Sequence, residues 1–204
     1  LPAVDSSRPE SFLHATGVVV DFGGFRALDG ASLTASSNEV VGLIGPNGAG
    51  KTTLLNAITS LVTSSAGSIR LDENVLDDLP SHLIARAGIV RTFQNLRLFP
   101  GLSVEENIEV ARLAAAGHIA GRSQPDVELL VRASGLTELR HRRAGELDYG
   151  NARRLELARA AAAGPRFLLL DEPTSGMGDL ESEQMIHRIR EIAGLVQAGV
   201  IVVD

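Results

Sequence analysis

Three stretches of this chain combine residue types and spacings that can do chemistry. Gly45-Pro46-Asn47-Gly48-Ala49-Gly50-Lys51-Thr52 fits the pattern GxxxxGK[ST]. In that pattern the glycines let backbone N–H groups fold into a nest around a β-phosphate, and the lysine reaches the β- and γ-phosphates. Thr52 then offers its hydroxyl to Mg2+, and Thr53 completes the phosphate-binding set. Lys51 is the only lysine among nineteen basic residues. It stands where a compact point charge is needed rather than the planar fork of an arginine. The second stretch, Phe167-Leu168-Leu169-Leu170-Asp171-Glu172, is an apolar run ending in two acids. Asp171 suits the shell of a Mg2+ ion, and Glu172 suits the polarisation of an attacking water, a second carboxylate that binding alone does not need. Such a pair is ordinarily a strand end with solvated acids, but the phosphate loop upstream reverses that preference. The third stretch is Leu147-Asp148-Tyr149-Gly150-Asn151, which runs into Ala152-Arg153-Arg154-Leu155-Glu156-Leu157-Ala158-Arg159-Ala160.

These groups need elements to position them. Val18-Val19-Val20, Val40-Val41-Gly42-Leu43-Ile44, Phe167-Leu168-Leu169-Leu170 and Val200-Ile201-Val202-Val203 are short continuous apolar runs. Runs of this kind suit strands buried on both faces of a parallel sheet. Helical periods lie between them: Leu54, Ala57, Ile58 and Leu61; Val104, Ile108 and Ala111; Met185, Ile189 and Ile192. Ser103 and Glu106 form a capping box, and Gly135 stops the helix carrying Val127, Leu130 and Val131. Strands alternating with helices predict an α/β sheet. From about Asn95 to Asn151 only helical signals remain, which predicts a helical subdomain inserted into the core. The expected boundaries are a tail or linker over 1–11, a core over 12–94 and 158–204, and a helical subdomain over about 95–157.

Composition narrows the function classes. The 204 residues, 44% of them apolar, can bury a real core. There is no cysteine, hence neither a disulfide framework nor a thiolate metal site. A net charge of −6 argues against wrapping nucleic acid by phosphate neutralisation. No apolar run reaches the roughly 18 residues of a membrane span.

With the phosphate loop before it and Asp171-Glu172-Pro173-Thr174 after it, the Leu147–Asn151 stretch resembles the LSGGQ signature of ABC-type ATPases. The resemblance runs from Phe12 onward. Arg91-Thr92-Phe93-Gln94, Asn95 to Leu98 and the Tyr149-Gly150 form of the signature are most similar to the ATP-binding subunits of branched-chain amino acid importers. The resemblance implies a P-loop NTPase fold with a mostly parallel core, an N-terminal β-subdomain and a helical subdomain. It also implies ATP and Mg2+ as cofactors, and a head-to-tail dimer in which each ATP lies between one subunit's phosphate loop and the other's Asp148, Tyr149, Gly150 and Asn151. Hydrolysis would drive a membrane permease from the cytoplasmic face of the membrane. By position, Phe22 would stack on adenine, and Gln94 would sense the γ-phosphate and Mg2+. Leu96, Leu98 and Phe99 are candidates either for the permease groove or for ordinary subdomain core.

The sequence departs from the family at three places. Asp148 replaces the usual Ser and is expected to act as N-cap of a helix beginning near Asn151, itself in place of Gln. Gly178 stands where Asp or Asn is common. The chain ends at Val202-Val203-Asp204, where the switch histidine would come next. His14, His82, His118, His141 and His187 are outside that context and lack metal-ligand spacing, so they read as surface or packing residues. Two other functions compete with transport: a nucleotide-binding regulatory module with little turnover, and a non-transport ABC ATPase. The short separation of Lys51 from Gly150 and the absence of a basic stripe weigh against the second.

Overall fold

The computed structural model describes residues 10–93, 95–117, 119, 122 and 124–204, so residues 1–9, Gln94, His118, Ala120, Gly121 and Ser123 lie outside the described residues. In chain order the elements are β1 (Phe12–Phe22), β2 (Phe25–Ser36), β3 (Val40–Leu43), α1 (Lys51–Ile58), β4 (Ala66–Leu71), β5 (Asn74–Val75), α2 (Ser81–Ala87) and β6 (Ile89–Arg91). Then follow α3 (Val104–Ala114), α4 (Val127–Ala133), α5 (Tyr149–Ala161), β7 (Phe167–Asp171), α6 (Asp179–Val196) and β8 (Gly199–Val203).

Two four-stranded sheets share the work. The first is antiparallel in order β2-β1-β4-β5, the second parallel in order β3-β8-β7-β6. Val18-Val19-Val20 belongs to the antiparallel sheet, a correction of the parallel strand expected there. The register there is irregular. Leu13 and Ala15 are buried on one face, the ladder shifts before Val18, and the extra residue returns Val18 and Val20 to that face. Within the run the alternation is kept, Val18 and Val20 buried and Val19 only half-buried, so a valine on the more open face is what makes the stretch look buried on both sides.

β7 explains why continuous apolar runs belong in the parallel sheet. Its side chains alternate between two cores. Phe167 and Leu169 pack with the β1, β2, β4, α1 and α2 residues, while Leu168 and Leu170 pack with α3, α4, α5 and α6. All four are buried, and truncating one, such as Leu169→Ala, removes about 2–5 kcal/mol. β3 departs from the expectation because, among the described residues, it pairs only with β8. As an edge strand it leaves Val40 50% exposed, and Ile44, just past its end, is 85% exposed.

Between β6 and β7 the described residues hold helices, two short 3-10 turns and one isolated bridge, Ser103 to Arg143. The Ser103–Glu106 box forms as the sequence predicts: Glu106 N–H donates to Ser103 Oγ at 3.2 Å, and Ser103 N–H donates to Glu106 Oε2 at 2.7 Å. The fully buried Asn107 then fastens the preceding loop, giving its amide protons to the carbonyls of Phe99, Leu102 and Ser103 and accepting from Phe99 N–H. Gly135 follows the end of α4, and Met185, Ile189 and Ile192 form the buried stripe of α6. Only Leu61 falls outside its expected helix: α1 closes at Ile58, and Leu61 is 48% exposed.

Candidate functional site

The carboxyl ends of parallel strands lie at one edge of a sheet, and there the chemistry-bearing residues collect. β3 runs into the Gly45–Thr52 loop, and α1 starts at Lys51 with Gly50 as its N-cap at φ 86°. Only glycine fits at position 50. A Cβ there would lie 2.6 Å from Leu28 Cδ2 and 2.8 Å from Ala27 O, in a left-handed conformation. The Lys51 ammonium folds back over the loop and donates to Gly45 O at 2.5 Å and Pro46 O at 3.3 Å, so Gly45 and Pro46 hold the charge at the mouth of α1. Ala49 N–H closes the turn onto Pro46 O at 3.1 Å. A helix N-terminus with one ammonium above it attracts phosphate.

β7 delivers the two acids with different surroundings. Asp171 is 4% exposed and accepts from Thr52 Oγ1 at 3.1 Å through Oδ1. Glu172 is partly exposed, and its backbone takes φ 47°, with its N–H donating to Val203 O at 3.0 Å. The left-handed conformation costs a residue with a Cβ about 1–2 kcal/mol. Strain of this kind next to a cleft is a pointer to function.

That cleft has a volume of about 420 Å3. The 47–53 stretch (Asn47, Gly48, Ala49, Gly50, Lys51, Thr52 and Thr53), Phe22 and Glu172 all line it, together with Phe25 and Ala27. Phe25 escaped the sequence reading although its signal was present. Phe22-Gly23-Gly24-Phe25 is a two-residue hairpin, with φ 51° and 94° at the glycines, which sets Phe22 and Phe25 side by side as a cross-strand pair. The aromatic end of the cleft therefore has two rings, 48% and 68% exposed.

Asp148, Tyr149, Gly150 and Asn151 do not line this cleft. Asp148, Gly150 and Asn151 border a separate hollow of about 130 Å3 with Met177 and Glu181. Asp148 is the N-cap of α5, which begins at Tyr149, two residues before the expected start. Its Oδ1 accepts Asn151 N–H at 2.8 Å and its Oδ2 accepts Asn151 Nδ2 at 2.8 Å. The backbone bond from Asn151 holds the Asp148 carboxyl below its ordinary pKa, against the opposing effect of burial.

Gln94 is outside the described residues. Of the residues beside it, Leu98 packs against the helical core, and none of Leu96, Leu98 and Phe99 lines the large groove nearby. That groove, about 430 Å3, runs between α2, β6, α3 and α5 and is walled by Arg86, Phe93, Arg97, Ala114 and Arg159. It carries no distinct signal in the sequence, because its wall combines alanines and arginines from four separate elements.

The family model described as "ABC transporter" matches residues 28–175. The chain belongs to the ABC transporter ATP-binding proteins. It is 38% identical to the high-affinity branched-chain amino acid transport ATP-binding protein BraF of Pseudomonas aeruginosa, over 97% of this chain and 82% of that one. The ADP conformation of the ATP-binding cassette MJ1267 superposes with a TM-score of 0.80 at 27% identity, covering 95% of this chain and 81% of that chain. The cassette MJ0796, in a dimeric post-hydrolysis state bound to ADP and Pi, shares the fold with a TM-score of 0.75 at 24% identity, over 94% of this chain and 87% of that chain. The ABC fold is thus an antiparallel N-terminal sheet beside a parallel P-loop sheet with helices. As a member of this family the chain is an ATP-binding subunit with ATP hydrolysis as its activity. Among the described residues, no helix is long and apolar enough to cross a membrane.

Proposed function

We propose that this ABC subunit powers import of branched-chain or other hydrophobic amino acids, working at the cytoplasmic face of the membrane as one half of an ATP-bound pair. The observation that carries the reading is the division of the site. Phe22, the phosphate loop and Glu172 share one cleft, while Asp148, Gly150 and Asn151 border another hollow of the same chain. A site so divided is completed by a second subunit placed head to tail, whose α5 N-terminus closes over the nucleotide.

Within that site Phe22 offers a π-face to adenine, with Phe25 beside it, and the 45–53 loop with Lys51 takes the phosphates. Thr52 and Asp171 supply a hydroxyl and a carboxylate within hydrogen-bonding distance of one another. Hard oxygen donors of this kind fit Mg2+, which supplies charge neutralisation at the phosphates when bound. Glu172 accepts the proton of the attacking water at its carboxylate. By its place in the family motif, Gln94 senses the γ-phosphate and Mg2+ and passes the signal to the helical subdomain. The groove beside Phe93 and Arg159 suits a short helix of the permease, and the helical subdomain over about 95–157 carries its far wall. BraF, whose name states branched-chain amino acid transport, supports the choice of solute.

The test is ATP hydrolysis by the subunit assembled with its permease in lipid nanodiscs, with solute-loaded binding protein added. Leucine-, isoleucine- or valine-loaded binding protein should stimulate turnover. Stimulation by a sugar or peptide alone would replace the solute class, and hydrolysis unaffected by Glu172→Gln would remove Glu172 from the chemistry.

A further inference from the structure

Asp171 is gripped from two sides. Its Oδ1 accepts from Thr52 Oγ1 at 3.1 Å, and its Oδ2 accepts from Arg91 Nη2 at 2.7 Å. The other arm of the same guanidinium, Nη1, donates to Asn56 Oδ1 at 2.6 Å. The Arg91 and Asp171 side chains are 5% and 6% exposed, so this is a dry ion pair. Thr52 and Asn56 are four residues apart on α1 and therefore share one face of that helix. The contacts form a closed ring: Thr52 to Asp171, Asp171 to Arg91, Arg91 to Asn56, and back along α1.

Two features separate this ring from an ordinary buried ion pair. Arg91 leaves its Nε without a partner among the described residues, although the atom is buried. Arg140, an ion-paired arginine away from the site, leaves its Nε in the same state, so what sets Arg91 apart is where its two Nη atoms reach: one to α1, which opens at the phosphate loop, the other to the acid at the end of β7. The second feature is the strand. Arg91 pairs with Leu169 in the β6–β7 ladder, and Thr92 N–H donates to Leu169 O at 3.0 Å, so the base of the side chain is as fixed as its tip.

We propose that Arg91 is a positioning residue for the cation end of the ATP site, locking the Asp171 carboxylate so that Oδ1, beside Thr52, is the oxygen presented to Mg2+. The inference rests on the reading of Thr52 and Asp171 as the magnesium residues. Mg2+ demands short bonds in near-ideal octahedral geometry, so a carboxylate free to rotate coordinates it less well. Arginine serves because a rigid fork reaches Asp171 and Asn56 together, which the single ammonium of a lysine does not.

The experiment measures the dissociation constant of a fluorescent ATP analogue in Mg2+ and in EDTA, for the unmodified chain and for Arg91→Met, Arg91→Lys, Asn56→Ala and Asp171→Asn. The readout is the ratio of the two constants, the advantage that Mg2+ confers. Arg91→Met should shrink that ratio at least fivefold while the constant in EDTA stays within about twofold. Arg91→Lys and Asn56→Ala, which keep a charge beside Asp171 and so protect the fold, should each shrink it less. Equal weakening in Mg2+ and EDTA would reduce Arg91 to a structural role, and an unchanged or enlarged ratio would overturn the proposal. If Arg91→Met does not fold, Asn56→Ala decides: a ratio reduced about twofold or more with the EDTA constant unchanged supports the proposal, and equal weakening or an unchanged ratio overturns it. Asp171→Asn keeps the two failures apart. An unaltered ratio in that variant removes Asp171 from the magnesium site, whereas a reduced ratio there with a normal one in the Arg91 variants refutes the role of Arg91 alone.

Discussion

Replacing Asp148 by Ser asks whether this residue caps a helix or aims a charge at the partner's nucleotide. In the structure both carboxylate oxygens are engaged by Asn151 of the same helix, at 2.8 Å each. Ser caps about as well as Asp, so Asp148→Ser loses only the exposed bond to Asn151 Nδ2, worth about 0.5 kcal/mol. Asp148→Ala loses the cap as well and should cost about 1–1.5 kcal/mol, or about 2–5 °C in Tm for a chain of this size. The pH dependence has a definite sign. The folded-state pKa of Asp148 lies below its ordinary value, so its contribution is fully present above the unfolded pKa of about 3.9 and fades as the pH falls through the folded value. Thermal melts should therefore show the gap between Asp148 and Asp148→Ala closing in acid. The decisive assay is sedimentation of the ATP-bound dimer. If Asp148 is a cap, Asp148→Ser leaves dimer affinity within about threefold; a tenfold or larger gain, about 1.4 kcal/mol, would mean that its charge opposes the γ-phosphate and would refute the reasoning.

Three further outcomes are expected. Lys51→Ala should abolish most nucleotide binding in a fluorescence titration while leaving the melt unchanged, since among the described residues Lys51 bonds only to the loop carbonyls of Gly45 and Pro46; retained affinity would remove the loop from the site. Gly50→Ala should destabilise by about 2–5 kcal/mol, combining left-handed strain with a clash against Ala27 O and Leu28, and an unaltered Tm would contradict the loop geometry. Glu172→Gly should remove turnover yet leave stability unchanged or raise it by about 1 kcal/mol, because it relieves the backbone at φ 47°; a clear loss of stability would show that the side chain holds the conformation for structural reasons.

How much of this was legible follows from how local each signal is. The phosphate loop, the Asp171-Glu172 strand end, the Ser103–Glu106 box and the Asp148 cap are written within a few consecutive residues, and each appears where its spacing puts it. The antiparallel sheet was only partly legible, because the irregularity before Val18 hides the alternation of β1 and because β2 and β4 carry mixed faces. Phe25 required reading a Gly-Gly turn as a device that pairs its neighbours. The ring through Arg91 was not legible at all. Its members, Thr52, Asn56, Arg91 and Asp171, come from three elements, and although the Arg91-Thr92-Phe93-Gln94 motif marks Arg91 by resemblance, nothing in it names the partners of that side chain.

The segment from Arg91 to Phe93 is held from both sides, and this accounts for an oddity of α5. That helix buries Arg153 and Glu156, 3% and 5% exposed, where its neighbours Leu155, Leu157 and Ala158 would predict an apolar face. A well-packed apolar pair would be about as stable as a buried ion pair. It could not, however, serve Phe93. β6 has ended there, so the backbone groups of Phe93 are beyond the β6–β7 ladder. Arg153 Nη1 donates to Phe93 O at 2.9 Å, and the nearby Phe93 backbone favours the charged form of Glu156 against the burial that raises its pKa. Arg153 also bonds Glu156 at 2.8 Å and donates through Nε to the Tyr149 hydroxyl at 3.2 Å. The charges on α5 thus replace a strand ladder at the point where the sheet stops. Because Arg91 ties the other end of this short segment to Asp171, the contacts run without a break from Thr52 in the phosphate loop to Tyr149 at the start of α5.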